Sequence, residues 1–302
     1  MFFLQPSTTK LKTSNLYFFF LLSCSYIAMA RFILLLSFFL VALAVGVSNA
    51  DSSAEDYWRS VLPNSPMPSA IRDLIYPSKA AVPAAHEDKV GSIFFLEQSL
   101  QPGTTMTLQF TRTTTGASFL PRQVADSIPF SSSMLPDILS RLSVSPSSEM
   151  ASSIKKTIAE CEAKPLADEL KLCATSLESM VDFAKYGLKS SNLRAMSTSI
   201  AKAATPKQKY TITGLNKVKA SELVACHAQR YVYPVFHCHT TTASAYTVSL
   251  SGADGTKIQA LAACHKDLAA GVEEAYKKLG LKPGSVPVCH FLPQDDLLWA
   301  RV

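Results

Sequence analysis

Four Cys-His dipeptides, Cys226-His227, Cys238-His239, Cys264-His265 and Cys289-His290, restrict what this chain can fold into more than any other feature. Ten, twenty-four and twenty-three residues separate them, and eight more lead to Trp299. With 7 cysteines and 6 histidines in all, the chain commits most of both to this pattern, so composition alone does not account for it. Successive side chains on a strand point to opposite faces. In the run ending at Cys264 the cysteine shares parity with Ile258, Ala260 and Ala262, whereas His265 shares it with Lys257 and Gln259. A buried cysteine therefore turns its histidine the other way. Applied to all four dipeptides, one face of a sheet holds sulfurs near enough to bridge while the other gathers imidazoles. His237, two residues before His239 on the same face of an extended segment, adds a fifth nitrogen ligand and a ready chelate for a transition metal.

The rival assignment places cysteine and histidine together on zinc. Zinc sites usually set their cysteines two to four residues apart, and no such pair occurs here. If the sulfur is oxidised, a cluster of neutral imidazoles from His227, His239, His265, His290 and His237 suits copper first and zinc second, with a metal-free role as the remaining alternative.

The four dipeptides and Trp299 resemble the signature of the BURP domain of plant secreted proteins. Phe94-Phe95, with Gly103, Met106 and Phe110 behind it, is similar to the opening of that domain. The run Phe119-Leu120-Pro121 to Ile128-Pro129-Phe130, and the block from Cys173 to Met180 with Cys161 before it, are similar to its middle. The resemblance covers residues 91–302. It implies an extracellular protein of seed, anther or stress-linked wall biology, acting on or within the cell wall. It also implies a second class, copper-dependent peptide cyclases that join a Trp or Tyr side chain to another residue of a precursor peptide. On that reading His227, His239, His265 and His290 are the copper ligands. Fused members carry repeated core peptides in their N-terminal region, whereas this chain offers Tyr57-Trp58 and Tyr76 once each, so the substrate is that segment or a separate precursor. The short arm is closer to the seed and embryo branches of the family than to its polygalacturonase beta-subunit type.

The N-terminal fifty residues read as an address. Met29-Ala30-Arg31, the apolar run Phe32 to Val45 and the small residues ending at Ala50 form a charged start, an apolar centre and a cleavage site. Translation is expected to begin at Met29, with cleavage after Ala50 and no membrane attachment afterwards. The segment contains Lys10, Lys12, Arg31 and no acid, so of 29 basic residues 26 remain against 23 acidic ones. A net charge of about three positives predicts no nucleic-acid footprint. Removal of Cys24 leaves Cys161, Cys173, Cys226, Cys238, Cys264 and Cys289, an even set that export favours as disulfides. Six cysteines allow fifteen pairings.

Residues 51–90, rich in Pro, Ser and Ala, read as a mobile arm with at most a short helix around Ser69 to Ile75. Beyond it, short apolar runs either side of Gln101-Pro102-Gly103 predict strand, turn and strand. Ser148-Glu149 opens a helix through Cys161, and Leu177, Met180, Val181, Ala184 and Leu188 lie at helical spacing in another. Cys161 and Cys173 flank the connection, and a disulfide joining them is the simplest reading. Period-two runs from Tyr210 and from Tyr246 to Cys264, the latter folded at Ser251-Gly252-Ala253-Asp254-Gly255, predict a hairpin. A helix is expected from Leu268 to Leu279, N-capped by Asp267 and stopped by Gly280. The fold class is α+β, helices packed on a twisted antiparallel sheet. Trp299 is expected to anchor the C-terminal segment by packing, His86 to be a solvated loop residue, and Asp295-Asp296 to form a turn. Neither a G-x-S-x-G elbow nor a glycine-rich phosphate loop is present.

Overall fold

The computed structural model describes residues 53–77, 94–114, 116–200, 206–266 and 272–302. The expected signal segment, His86 and the expected helix start at Asp267 fall outside the described residues. The chain opens with helices α1 (Ser53–Val61) and α2 (Ser69–Ile75), then strands β1 (Phe94–Leu96) and β2 (Thr105–Leu108). Three helices follow, α3 (Arg122–Ser127), α4 (Leu135–Arg141) and α5 (Glu149–Glu162), then β3 (Lys171–Ala174) and α6 (Leu177–Leu188). The remainder is strand-rich: β4 (Leu193–Met196), β5 (Ser199–Ile200), β6 (Gln208–Lys217), β7 (Leu223–Gln229), β8 (Val235–Thr241), β9 (Ser244–Gly252) and β10 (Lys257–His265). Helix α7 (Val272–Lys278), β11 (Val288–Phe291) and β12 (Leu297–Arg301) complete the order. None of the described helices is long and apolar enough to cross a membrane.

The α+β class is as read from the sequence, but the strands form two antiparallel sheets where one was expected. The first runs β1-β11-β10-β9-β6-β2, with β5 on β10, and the second runs β3-β8-β7-β12-β4. Parity decides what each sheet buries. Cys264, Cys289, Phe95, Ala260, Ala262, Val248, Leu250, Tyr210 and Ile212 form one cluster on the first sheet, which curls around them. Cys226, Cys238, Val224, Phe236, Leu297 and Trp299 face the helices on the second. Ala225, Leu298 and Ala300 from the second sheet meet Ala245, Leu261 and Ala263 from the first in a further buried layer. The small side chains there let two sheets that are apolar on both faces approach closely. A period-two pattern fixes the face a residue takes but not which sheet its strand joins, which is why one sheet was expected.

Local signals set the helices. The Ser148 hydroxyl accepts from the Ala151 N–H at 3.1 Å and starts α5. Ser176 and Ser179 cap α6 reciprocally, and Leu177, Met180, Val181, Ala184 and Leu188 are its buried stripe. In α7, Val272, Ala275 and Tyr276 are buried and Lys278 pairs with Glu274 outside. Gly280 ends it with φ +68°, a conformation glycine adopts without strain. The β9–β10 hairpin turns through Gly255 at φ +82°, where the Thr256 N–H donates to the Asp254 carboxylate.

The arm reading needs correction. From Ala54 onward the chain belongs to one compact unit with the rest. Ala54, Tyr57, Trp58 and Val61 recur at i, i+3, i+4 and i+7, an amphipathic stripe that the neighbouring prolines obscured. Trp58 is 2% exposed and lies 5.8 Å, centroid to centroid, from Trp299, which is fully buried as the expected packing anchor. The Trp58 indole N–H donates to the Ser65 carbonyl at 2.9 Å, and the Ser65 hydroxyl receives the Ala195 N–H of β4 at 3.3 Å. Ala70, Ile71 and Leu74 of α2 join the same cluster. Trp58→Ala is therefore expected to cost about 3–5 kcal/mol of stability, measured as a fall in the denaturant midpoint of the mature protein; an unchanged midpoint would return these helices to a dispensable arm.

Candidate metal centre

Three disulfides form: Cys161–Cys173, Cys226–Cys238 and Cys264–Cys289. The first joins the end of α5 to β3, as expected. The other two each bridge residues directly opposed on neighbouring strands, Cys226 with Cys238 across β7 and β8, and Cys264 with Cys289 across β10 and β11. Such a bridge determines where the next residues go. In an antiparallel pair, the residues one step beyond two opposed positions lie diagonally, both on the other face. His227 and His239 become diagonal neighbours with rings 5.4 Å apart and stacked. His265 and His290 do the same on the first sheet, with rings 5.5 Å apart and 11° from parallel. His237, directly opposite His227, lies 5.8 Å from His239. The sulfurs of these two bridges thus take one face of each sheet and the four dipeptide imidazoles the other, the face on which the two sheets meet, whereas Cys173 on β3 stands directly opposite His237 and shares its face.

Two carboxylates orient the imidazoles of the second sheet. Asp296, 3% exposed, meets His227 Nδ1 at 2.7 Å and also accepts the Ala228 N–H at 2.9 Å. Glu169 meets His239 Nδ1 at 2.9 Å, with the Thr240 carbonyl also near that nitrogen at 3.2 Å. A ring whose Nδ1–H donates to a carboxylate presents a bare Nε2. The two Nε2 atoms face each other at 3.4 Å. Two lone pairs that close repel unless a cation lies between them, either a proton or a metal ion at about 2.0–2.1 Å from each nitrogen.

The electrostatics divide the histidines. Burial pushes the His290 pKa down to about 3, with His265, His227 and His239 adding to the fall, so all four act in one field. Burial, then His239 and His227, lower His237 to about 4. His227 moves the other way: burial opposes its charge, but the Asp296 carboxylate beside it outweighs burial and raises the pKa. The Asp296 carboxylate thus favours the charged form of His227 against burial.

The donor chemistry fits a nitrogen-binding metal such as copper, or zinc: the sulfurs are tied up and the imidazoles gather in two pairs, one already backed by carboxylates. Among the described residues no three His, Cys, Asp or Glu side chains are poised around one point as they stand. The pairs would hold an ion together through side-chain adjustment. A cleft of about 620 Å³, walled by residues including Leu166, Glu169, Gly187, Lys189, Thr240 and His239, opens beside the second pair. Tyr57 and Trp58, expected as modifiable residues, are not brought to the histidines, since Trp58 packs with Cys226 and Cys238 on the sulfur face.

Sequence reasoning passed over Asp296 and Glu169. The expected turn is present at Gln294-Asp295, but it stands between Leu292 and Leu297-Leu298-Trp299, where flanking burial forces carboxylates to find partners. Glu169 carried no such signal; only the fold brings the Cys161–Cys173 loop against His239.

The BURP domain family matches residues 93–301 of the chain. BURP domain-containing protein 6 of Oryza sativa subsp. japonica is 58% identical over 238 residues, 78% of this chain and 100% of that protein. BURP domain-containing protein 2 of the same species is 50% identical over 287 residues, 90% of this chain and 100% of its own length. BURP domain protein RD22 of Arabidopsis thaliana is 42% identical over 233 residues, 74% and 59% of the respective chains.

The perturbed histidines give the metal-free protein a definite pH response. Unfolded, each takes up a proton near 6.5, whereas folded His290 and His237 stay neutral down to about 3 and 4. Below pH 6.5 the unfolded chain therefore binds more protons at these two sites, and the stability they contribute is lost as pH falls toward 4. His227, raised, contributes stability that is present below the unfolded value and lost as pH rises through its folded one. Denaturant midpoints from about pH 7 to 4.5 are expected to fall, less steeply in His290→Gln and more steeply in Asp296→Asn.

Proposed function

The chain belongs to the BURP domain family, and from that premise we propose that it is a secreted protein of the plant cell wall whose two disulfide-stapled sheets hold a transition-metal site, copper in first place, in development or stress response. The observation that carries this reading is the pair of Nε2 atoms of His227 and His239 facing each other at 3.4 Å, each ring backed by a carboxylate. Either a proton or a metal ion must lie between two such nitrogens, and the second imidazole pair, whose His290 feels both His227 and His239, supports the metal. His227, His239, His265 and His290 would hold the ion, with His237 beside them. Asp296 and Glu169 hold the Nδ1 protons, turn the two Nε2 atoms toward each other, and supply negative charge next to a cation. The low pKa values of His290 and His237 keep those imidazoles neutral, and so able to bind, even in an acidic wall.

A second reading, a peptide cyclase acting on a separate precursor, draws on the cleft. At about 620 Å³ it lies in the range that takes a small ligand or a peptide side chain, and His239 is in its wall. Bound copper would supply the one-electron chemistry that no side chain of this protein offers. The residues around it bind and orient: Leu166 gives the cleft an apolar wall, while Glu169 and Lys189 give it polar ones. Trp58, sealed in the core, is not a substrate of the folded chain on this reading.

The test is metal content of residues 51–302, secreted oxidised from a eukaryotic host and loaded with copper. About one equivalent is expected, with affinity lowered at least about tenfold by His239→Ala and by Asp296→Asn. A folded protein that takes up no copper or zinc would leave a stapled wall protein without a metal. Incubating the copper form in air with a synthetic tryptophan-containing peptide, oxygen being the acceptor of the two electrons and two protons, then separates the readings: loss of two hydrogens from the added peptide marks a cyclase, and an unaltered peptide mass removes that activity.

A further inference from the structure

Residues 292–296, between β11 and β12, carry the chain from the first sheet to the second. His290 lies just before this link and Asp296, the partner of His227, ends it, so its position bears on both histidine pairs. The link is buried: Gln294, Asp295 and Asp296 are at most 3% exposed. Gln294 and Asp295 are held by one segment far away in sequence. The Gln294 N–H donates to the Thr111 carbonyl at 3.0 Å and its side-chain amide to the Phe110 carbonyl at 2.9 Å. Asp295 is fully buried, and its Oδ2 accepts three hydrogen bonds, from the Thr113 N–H at 2.8 Å, the Thr114 N–H at 2.7 Å and the Thr114 hydroxyl at 2.9 Å.

We propose that Asp295 is a positioning residue for the histidine cluster: by fastening the sheet-to-sheet link to residues 110–114, it sets Asp296 against His227 and fixes the first sheet's histidine pair against the second's. This rests on the reading that the cluster is the protein's working site. Two observations specify how Asp295 acts. Its other oxygen, Oδ1, is buried with no hydrogen-bond partner among the described residues. Burial first, and then the neighbouring Asp296 charge, raise its pKa. Oδ2 carries all three bonds, while Asp296 is the carboxylate that His227 meets. Two adjacent aspartates thus do different jobs, one as an acceptor that fastens the link and one as the partner of His227. An amide oxygen replaces the first but not the second.

The test uses residues 51–302, metal-free and ¹⁵N-labelled, read by the imidazole ¹H–¹⁵N spectrum, together with titration by cobalt(II) as the metal probe. The wild type should show a hydrogen-bonded Nδ1–H for His227. In Asp295→Ala that signal is expected to be lost and cobalt affinity to fall at least about tenfold, whereas Asp295→Asn keeps the signal and holds affinity within about twofold. If Asp295→Ala does not fold, Thr114→Val, which removes one of the three donors, should weaken both readouts while remaining folded. A folded Asp295→Ala with signal and affinity unchanged overturns the proposal, as does an Asp295→Asn as damaged as the alanine variant or, where alanine does not fold, a Thr114→Val that matches the wild type. Wild-type protein that binds no cobalt, yet loses the His227 signal with Asp295, would sink the metal reading and leave the positioning role standing.

Discussion

A disulfide between two directly opposed residues of an antiparallel pair removes the freedom on which the rest of this molecule depends. A strand can otherwise slip along its neighbour, and a slip of one residue exchanges the two faces. Bridging Cys226 to Cys238 and Cys264 to Cys289 forbids that slip. It also dictates that the residue following each cysteine lands on the far side, diagonal to its counterpart. Writing histidine directly after cysteine therefore encodes an imidazole pair at fixed spacing, and doing so on two strand pairs gives two such devices. Oxidation has a chemical effect as well as a mechanical one: it withdraws the sulfurs from coordination and leaves nitrogen as the available donor.

The two devices matter because they share one layer. Ala225, Ala245, Ala263 and Ala300 keep the inter-sheet space thin. Against that layer burial makes an isolated charge costly, and the His290 pKa is accordingly pushed down to about 3. Carboxylates enter only where each has a specific partner, Asp296 on His227 and Glu169 on His239. Glu169 comes from the loop closed by the third disulfide, between α5 and β3, whose ends Cys161–Cys173 hold together. All three bridges thus contribute to one place, two by setting the imidazoles and one by delivering an acid to them.

How far this could be read in the sequence follows from the range of each signal. Face parity is local, so the division of sulfur from imidazole was legible from Ile258-Gln259-Ala260 onward, and so were α6 and the β9–β10 hairpin. The Cys161–Cys173 bridge spans two adjacent elements and was legible too. Sheet membership is not local: β11 and β12 lie six residues apart in the chain yet belong to different sheets, and no periodicity marks the crossing. The same limit hid Glu169, whose partner is 70 residues distant in sequence. Helix α1 was a different kind of miss. Its stripe was present in Ala54, Tyr57, Trp58 and Val61, but proline-rich neighbours made the whole region look like a tether.

Strand β12, last in chain order, does not lie at an edge. It sits between β7 and β4, with Trp299 at the centre of the helix-covered core. A hairpin such as β7–β8 can close as soon as both strands have been made, because its partners are contiguous. The second sheet as a whole cannot, since β12, which lies between β7 and β4, comes after every other described strand. A chain that lacks β12 carries all six disulfide cysteines and still lacks the strand that joins β4 to the rest.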